Sequence, residues 1–319
     1  MSNKYTIVLD IGARYGIHPS WKKIESNLDF KFLLFEPDPS EYKRLKKKYI
    51  NKKNLNIFNI ALGDKVQKNK LYISQHKALS SIYTRKNNNP LLKNSKNNKV
   101  IKSITIEVET LDKFCEKKKI KPHFLKLDVE GYEYNILKGG KKSLNNLIGI
   151  RSEVSFEKIF NSKDEGDFSQ IHELLLKNDF ILLNLDYNGQ GFHFSKFVSQ
   201  NQKYGILQTT DAVWIKNPNK IDLYYNSEES LLRISLFLFL NNAPDLAIYF
   251  LNIFSKKKKK KLYKNKLFLE VVKHCATHFQ SLKHSPGINQ KEIKKIFKKF
   301  FGINYPENEK FNESIFYNP

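Results

Sequence analysis

Two acidic residues follow a short apolar segment near the middle of the chain. Asp128 and Glu130 come directly after residues 124–127 and precede Gly131 and a segment with helical periodicity. An acid at the end of a buried strand can face a crevice, where it could lie beside a sulfonium group or the reacting hydroxyl of a substrate. The alternative is that both side chains only cap the helix that begins near residue 132.

A glycine-containing turn follows the first apolar segment. Residues 8–16 read VLDIGARYG, and Gly12 and Gly16 allow a sharp bend that lets a ligand lie against the backbone. The helix N-terminus that follows favours a carboxylate or a phosphate. Glycines after a strand are also common in ordinary loops, and the spacing differs from the dinucleotide fingerprint. The turn therefore fits a nucleotide pyrophosphate poorly.

Two further turns are candidates for binding a nucleoside. Glu36 ends the second predicted strand, and an acid at this position of a Rossmann fold accepts both hydroxyls of a ribose. It could instead be an acidic residue at the start of a helix after a proline-rich turn. Ala61 and Leu62 follow the third predicted strand, where small residues could flank an adenine, although the segment also reads as a simple turn.

Apolar segments alternate with helical periodicity through about residue 216. We predict strands at 5–10, 32–36, 55–61, 124–128 and 146–153, a helix at 19–27, and strands at 70–74 and 103–109 around a polar insert. Strand–helix units in series predict a doubly wound, mostly parallel α/β sheet. The late pair 180–185 and 211–216 has no helix between its members and predicts an antiparallel edge strand.

The chain changes character beyond Pro218. We predict helices at 228–241, 245–254, 262–282 and 291–301. The sequence therefore predicts a first domain over 1–218 and a helical C-terminal appendage over 219–319.

The formal net charge of +24 raises the question of an anionic partner. Only five of the 56 basic residues are arginines, although arginine is the side chain that forms paired hydrogen bonds with phosphate and guanine. The many Asn and Ile residues suggest AT-rich codons, so we expect ordinary surface lysines and no nucleic-acid partner. An anionic membrane, an acidic glycan or a nucleic acid is the alternative.

The cysteines and the hydropathy pattern predict a cytoplasmic protein. Cys115 and Cys275 lie far apart without metal-ligand spacing, which argues against a disulfide framework and a zinc site. The chain starts without a signal-peptide pattern. The apolar stretch 231–254 is interrupted by polar and charged residues, so it falls short of the roughly 18–20 residues that a membrane-spanning helix needs.

These motifs, taken together, resemble the FkbM methyltransferase family. In chain order they are DIGA at 10–13, FEP at 35–37, ALG at 61–63, SS at 80–81, VETLD at 108–112, KLDVEGYE at 126–133 and LKG at 137–139. The resemblance covers about residues 5–216. It implies a Rossmann-like class I methyltransferase fold, S-adenosylmethionine as cofactor, and O-methylation of a sugar, glycan or other natural product.

The resemblance also implies a role for each motif. The methionine end of the cofactor would lie against Asp10, Gly12 and Gly16, the ribose on Glu36, the adenine beside Ala61 and Leu62, and the methyl group near Asp128. Arg14 stands where the family usually has asparagine, and it is a candidate contact for the methionine carboxylate.

Methyl transfer from a sulfonium needs little from the protein beyond positioning and the exclusion of water. A sugar hydroxyl has a high pKa, so a general base is expected, and the candidates are Asp128, Glu130 and Glu153. His18 is a weaker candidate, because a lone histidine is more often structural. A hard cation held by Asp128 and Glu130 could lower the hydroxyl pKa instead, but we predict a site without a metal.

Two other functions compete with the methyltransferase. One is a module that keeps the fold without turnover and uses its basic tail on an anionic surface, which the complete set of cofactor motifs disfavours. The other is a nucleic-acid methyltransferase. The chain lacks a base-flipping motif, and its polar insert shows no interleaving of aromatic with basic residues for stacking.

The last predicted helix has one apolar face. Between 291 and 301 the apolar residues recur at helical spacing, and lysines occupy the other faces. Such a helix packs on the methyltransferase domain or lies on an anionic membrane. We expect it to be docked in the free protein, with only a weak and salt-sensitive membrane contact.

Overall fold

The computed structural model describes residues 5–86, 98–186, 190–192, 206–257, 266–281 and 290–301. Contacts divide the chain into two compact units. The first contains Met1–Pro19 and Phe30–Pro218, and the second contains Ser20–Asp29 and Asn219–Pro319. The predicted division at residue 218 thus differs from the compact units in one segment, because residues 20–29 belong to the helical unit.

A parallel sheet forms the centre of the first unit. Its strands are β1 (Thr6–Ile11), β2 (Phe30–Phe35), β3 (Leu55–Phe58), β7 (Phe124–Leu127) and β8 (Gly149–Ser155). They lie in the order β8-β7-β1-β2-β3, and every neighbouring pair is parallel. All six residues of β1 are buried, as expected for a strand covered on both faces.

The far edge of this sheet is antiparallel. Strand β11 (Ile206–Lys216) pairs with β8 on one side and with β9 (Phe180–Leu185) and β10 (Gln190–Phe192) on the other, and all three pairings are antiparallel. The predicted fold class, a mostly parallel α/β sheet with an antiparallel edge, is confirmed. Strand β10 was not predicted.

A small second sheet lies in the same unit. It consists of β4 (Ala61–Gly63), β6 (Val100–Thr110) and β5 (Gln67–Ser74), in that order. The prediction of a single strand over 55–61 is therefore wrong, since the chain leaves the central sheet after Phe58 and joins the second sheet at Ala61. The amide of Asn59 donates to the carbonyl oxygens of Glu36 and Pro37, which ends the pairing with β2.

Five α-helices are described between residues 19 and 177, where they alternate with the strands along the chain. They are α1 (Pro19–Lys22), α2 (Pro39–Lys48), α3 (Leu111–Lys118), α4 (Glu133–Lys138) and α5 (Phe168–Lys177). Side-chain caps fix the starts of three of them. Asp38 accepts from Ser40 N, Thr110 accepts from Lys113 N, and Asp167 forms a capping box with Gln170. The helix predicted over 19–27 is only one turn long, because residues 23–26 form turns.

The second unit is helical. Its helices are α6 (Ile221–Tyr224), α7 (Glu228–Leu240), α8 (Pro244–Lys257), α9 (Lys266–Ser281) and α10 (Gln290–Phe301). Trp21 is fully buried here with its ring 6.0 Å from that of Phe237, and the amide of Asn27 donates to Lys266 O. These contacts explain why residues 20–29 join the helical unit.

The apolar face of α10 is buried inside this helical unit. Ile293, Phe297, Phe300 and Phe301 are all at most 5% exposed, and the Phe301 ring lies 5.7 Å from the ring of Phe268 on α9. The helix packs on other helices of its own unit. No helix in the described ranges is long and apolar enough to cross a membrane.

Candidate active site

The turn after β1 depends on a glycine. Gly12 has φ +82°, and a Cβ built there would lie 1.7 Å from the carbonyl oxygen of Asp128. The N–H groups of Gly12 and Ala13 both donate to the carbonyl of Phe35 at the end of β2. The three strand ends β1, β2 and β7 therefore meet at one point, and only glycine fits there.

A buried lysine joins two of these strand ends. Lys126 Nζ lies 3.5 Å from Asp10 Oδ1, 3.2 Å from Asp128 Oδ2 and 3.4 Å from Gly12 O. Burial disfavours the ammonium charge, but the carboxylates of Asp128 and Asp10 outweigh it and raise the pKa of Lys126. Lys126 is therefore a permanent cation at the base of the site.

Asp10 and Gly16 stabilise the turn after β1 through contacts with His18 and Tyr49. Asp10 is fully buried, and its Oδ2 accepts from the backbone N–H of His18 at 2.8 Å. Gly16 faces Tyr49, whose Oη would lie 2.2 Å from an added Cβ. Neither residue belongs to the wall of the cavity described below. Both residues shape the turn, and their predicted contact with the cofactor stays a prediction.

The end of β2 carries an acid in an apolar setting. Glu36 is 3% exposed, and its Oε1 accepts from the backbone N–H of Asp38 at 2.9 Å. Burial raises the pKa of Glu36 to about 7, although Arg14 opposes this. The carboxyl group is therefore half ionised near neutral pH.

Arg14 lies at this same end. Its Nη2 is 3.0 Å from Asp38 Oδ2 and 3.9 Å from Glu36 Oε1. The guanidinium group is held beside the predicted ribose-binding acid, and the candidate contact with the methionine carboxylate stays a prediction.

Three carboxyl groups meet where β7 and β8 end. Asp128, Glu130 and Glu153 each offer an oxygen within 4.8 Å of the others. Asp128 pairs with Lys126, and Glu130 pairs with Arg85. Within the described ranges, Glu153 has no cation at ion-pair distance. Burial, then the charges of Glu130 and Asp128, raise the pKa of Glu153 well above its ordinary value.

The turn that follows β7 is held by its own side chains. Glu130 has φ +58° and Gly131 has φ +96°. The carboxylate of Glu133 accepts from Val129 N at 2.7 Å and from Gly131 N at 3.0 Å, and Ser81 Oγ donates to Glu130 O at 2.6 Å. Asp128 and Glu130 do not cap α4, so the alternative of simple helix caps is wrong; Glu133 binds the two turn N–H groups.

His18 does not serve as a base in this arrangement. Burial, followed by the charge of Lys126, lowers the pKa of His18 to about 4. The imidazole is therefore neutral and weakly basic, and His18 does not form part of the cavity wall.

One cavity brings these groups together. Its volume is about 250 Å³, close to the roughly 300 Å³ at which small-molecule sites begin. Its wall is formed by Ile11, Gly12, Arg14, Tyr15, Phe35, Glu36, Pro37, Ile60, Ala61, Leu62, Leu71, Ala78, Ser80, Ile82, Asp128, Val129, Glu130, Tyr132 and Glu153. Of the predicted site residues, only Asp10 and Gly16 are outside this wall.

The first part of the chain matches a known domain. The model of the methyltransferase FkbM domain matches residues 10–182, which is more than half of the sequence. The chain belongs to the FkbM methyltransferase family. Membership of this family implies S-adenosylmethionine as the cofactor, as predicted. No curated protein sequence matches the chain significantly.

Two of the solved structures to which the chain is similar are named as methyltransferases. Methyltransferase FkbM from Methylobacillus flagellatus KT is 14% identical, with 66% of this chain and 44% of that chain covered and a TM-score of 0.39. A SAM-dependent methyltransferase from Aquifex aeolicus is 8% identical, with 67% and 84% covered and a TM-score of 0.32. The chain thus spans less than half the length of the first structure.

The cavity fits this cofactor. The glycine at position 12 leaves the backbone of the β1 turn open at a point where any Cβ would collide. Glu36 supplies an acid at the end of β2, and Ala61 and Leu62 add an apolar wall. The S-adenosylmethionine would be held by these residues, and it would supply an activated methyl group near Asp128.

The sequence analysis missed the two cations that pair with the carboxyl cluster, buried Lys126 and partly buried Arg85. Lys126 lies inside an otherwise apolar strand, and a lysine that is buried almost always has a partner, so this signal was present. Arg85 is one of only five arginines, but it lies within the polar insert, 45 residues before Glu130. Nothing in the sequence pairs these two residues.

Proposed function

We propose that this protein is an S-adenosylmethionine-dependent O-methyltransferase acting on a hydroxyl group of a sugar or glycan, with Glu153 as the general base. The observation that carries this proposal is the carboxyl cluster on the cavity wall, in which Asp128 and Glu130 have cations and Glu153 has none in the described part of the chain. A base of raised pKa is suited to removing a proton from a hydroxyl near neutral pH.

When bound, the cofactor supplies a methyl group already activated by the sulfonium charge, so the protein has to orient the acceptor and remove its proton. Glu153 accepts the hydroxyl proton. Asp128, fixed on one side by Lys126, can accept a hydrogen bond from a neighbouring hydroxyl of a polyol acceptor. The apolar wall at Leu71 and Ile82 limits the entry of water.

A metal is not required for this chemistry. Lys126 and Arg85 already stand beside Asp128 and Glu130 and neutralise two of the three negative charges. A divalent cation would have to compete with both. We therefore propose a metal-independent reaction, in which chelation with EDTA leaves turnover unchanged.

The test uses the full chain and S-adenosylmethionine labelled in the methyl group. The acceptor panel contains methyl glycosides of neutral hexoses and 6-deoxyhexoses, with an RNA oligonucleotide as the competing class. We expect label in a glycoside as a base-stable ether, because methyl esters are hydrolysed by mild base. Base-labile label, or label only in RNA, would contradict the proposal.

Glu153→Gln tests the assigned base. We expect turnover to fall by at least about 10²-fold, the lower range for general-base catalysis, with unchanged affinity for S-adenosylhomocysteine. The matched control is Glu157→Gln, an exposed glutamate just after β8, which should keep full activity. Turnover that survives in Glu153→Gln would show that another group takes the proton.

A further inference from the structure

The three carboxyl groups of the cluster differ in how their charge is balanced. The charged groups that face Glu130 are Arg85, Lys126, Asp128, Glu133 and Glu153. Lys126 is also shared with Asp10 on β1. Arg85 is therefore the cation devoted to Glu130 within the described ranges, and the balance of the cluster depends on it.

A short backbone pairing brings Arg85 to the cluster. Residues 84–86 run antiparallel to residues 159–161: Lys86 N donates to Ile159 O at 2.9 Å, and Asn161 N donates to Thr84 O at 2.7 Å. The buried carboxylate of Glu165 accepts from the N–H groups of Ile159 and Phe160 and holds the second segment in place. Arg85 is thus positioned by hydrogen bonds between segments far apart in sequence.

The guanidinium group rests on an aromatic ring. Its central carbon is 4.7 Å from the ring centroid of Phe160, which is 1% exposed. The same ring leaves no room for a side chain at position 131, because a Cβ built on Gly131 would lie 2.5 Å from it. Phe160 therefore fills the space between Arg85 and the turn after β7, and a stacked arginine is favoured there over a lysine.

The segment that carries Arg85 holds Glu130 at two points. Arg85 pairs with its carboxylate, and Ser81 donates to its backbone oxygen. Glu130 occupies the left-handed region, which is costly for a residue with a side chain and needs such support. Burial raises the pKa of Glu130, and the charge of Arg85 opposes this rise.

We infer that Arg85 is a positioning residue that fixes Glu130 as a paired anion, so that Glu153 is the carboxyl group of the cluster that exchanges a proton with the acceptor. This inference rests on the proposed function of the same cavity. At a pH high enough to keep Glu130 ionised, loss of Arg85 would leave one more uncompensated negative charge beside the place where the sulfonium group would bind.

Binding of two ligands that differ by this charge gives the test. S-adenosylmethionine carries the sulfonium, and S-adenosylhomocysteine has a neutral sulfur. We would measure both affinities by calorimetry at pH 8.5 in the wild type, Arg85→Met and Arg85→Lys. We expect Arg85→Met to raise the preference for S-adenosylmethionine at least threefold, and Arg85→Lys to keep a ratio closer to that of the wild type. If Arg85 had a purely structural role, Arg85→Met would lower the affinity for both ligands equally.

Charge balance provides the controls. The double variant Arg85→Met/Glu130→Gln removes both partners, so it should restore the wild-type ratio even if Arg85→Met alone folds poorly. Arg44→Met is the matched control, because Arg44 pairs with Glu41 on the exposed face of α2. If the ratio of the two affinities is unchanged in Arg85→Met, or altered in the double variant, the inference about Arg85 is wrong but the proposed function stands. A wild type that binds neither ligand overturns the proposed function as well.

Discussion

Glu36 is an acid whose ionisation should control cofactor binding. An ionised carboxylate can accept hydrogen bonds from both ribose hydroxyls, and a protonated one gives up part of that capacity. Burial raises the pKa of Glu36 to about 7. The binding form is therefore present above this pH and is lost as the pH falls below it.

We predict that affinity for S-adenosylhomocysteine falls about tenfold between pH 8 and pH 6, since about nine-tenths of Glu36 would be protonated one unit below its pKa. Calorimetry across this range measures it. Glu36→Gln should bind more weakly at pH 8 and lose the pH dependence, whereas Glu41→Gln on α2 should keep it. A flat wild-type profile would mean that Glu36 does not bind the ribose.

The site residues that sequence predicted best are those set by local pattern. Glu36 and Asp128 end strands whose apolar runs are visible in the sequence, and both line the cavity. The ion pair of Arg14 with Asp38 was not predicted, because Asp38 belongs to another turn. The pairing of Arg85 with Glu130 depends on tertiary contacts over 45 residues, which neither periodicity nor spacing encodes.

Among the elements of the fold, the turn after β1 contains two glycines, of which one lines the cavity and the other shapes the turn. Gly12 lies on the cavity wall against the backbone of Asp128, and Gly16 packs against Tyr49 outside it. Both have positive φ, so alanine is strained at either position. The strain is similar, but the neighbours that must move are different.

We predict that Gly12→Ala and Gly16→Ala each lower the free energy of unfolding by at least about 1–3 kcal/mol, the cost of the backbone strain alone, with the larger loss at Gly12, where backbone atoms must move. Only Gly12→Ala should also abolish binding of S-adenosylhomocysteine, because its methyl group pushes against Asp128 O. Thermal unfolding and calorimetry on the folded fraction distinguish the two effects. Equal loss of binding in both variants would argue that Gly16 also contacts the cofactor.

The sequence predicted the types of the secondary-structure elements better than the residues at which they end. The five parallel strands and the antiparallel edge were predicted from apolar runs and missing helices, and the structure confirms them. The break between β3 and β4 was not predicted, because residues 55–61 are uniformly suited to a strand. Hydrogen bonds from Asn59 to the β2 turn end the first strand, and they exist only in the folded chain.

At the scale of the whole molecule, the charge of +24 contrasts with an acidic cavity wall. The lysines 294, 295, 298 and 299 of α10 lie on the exposed side of the helix, while its apolar face is buried within the helical unit. The apolar side chains of α10 that could insert into a bilayer are thus buried, and the lysines that could contact a membrane surface are exposed. Only long-range attraction remains for a membrane contact.

We therefore predict that the protein floats with anionic liposomes at low salt and is released at physiological salt, because exposed charges are screened within about 8 Å at 0.15 M. Lys298→Ala/Lys299→Ala should weaken this binding without changing thermal stability. Phe297→Ala, which removes a fully buried ring, should lower the free energy of unfolding by about 3–5 kcal/mol and make binding at high salt stronger by releasing the apolar face. Wild-type binding that survives high salt would mean that α10 leaves its helical unit to insert.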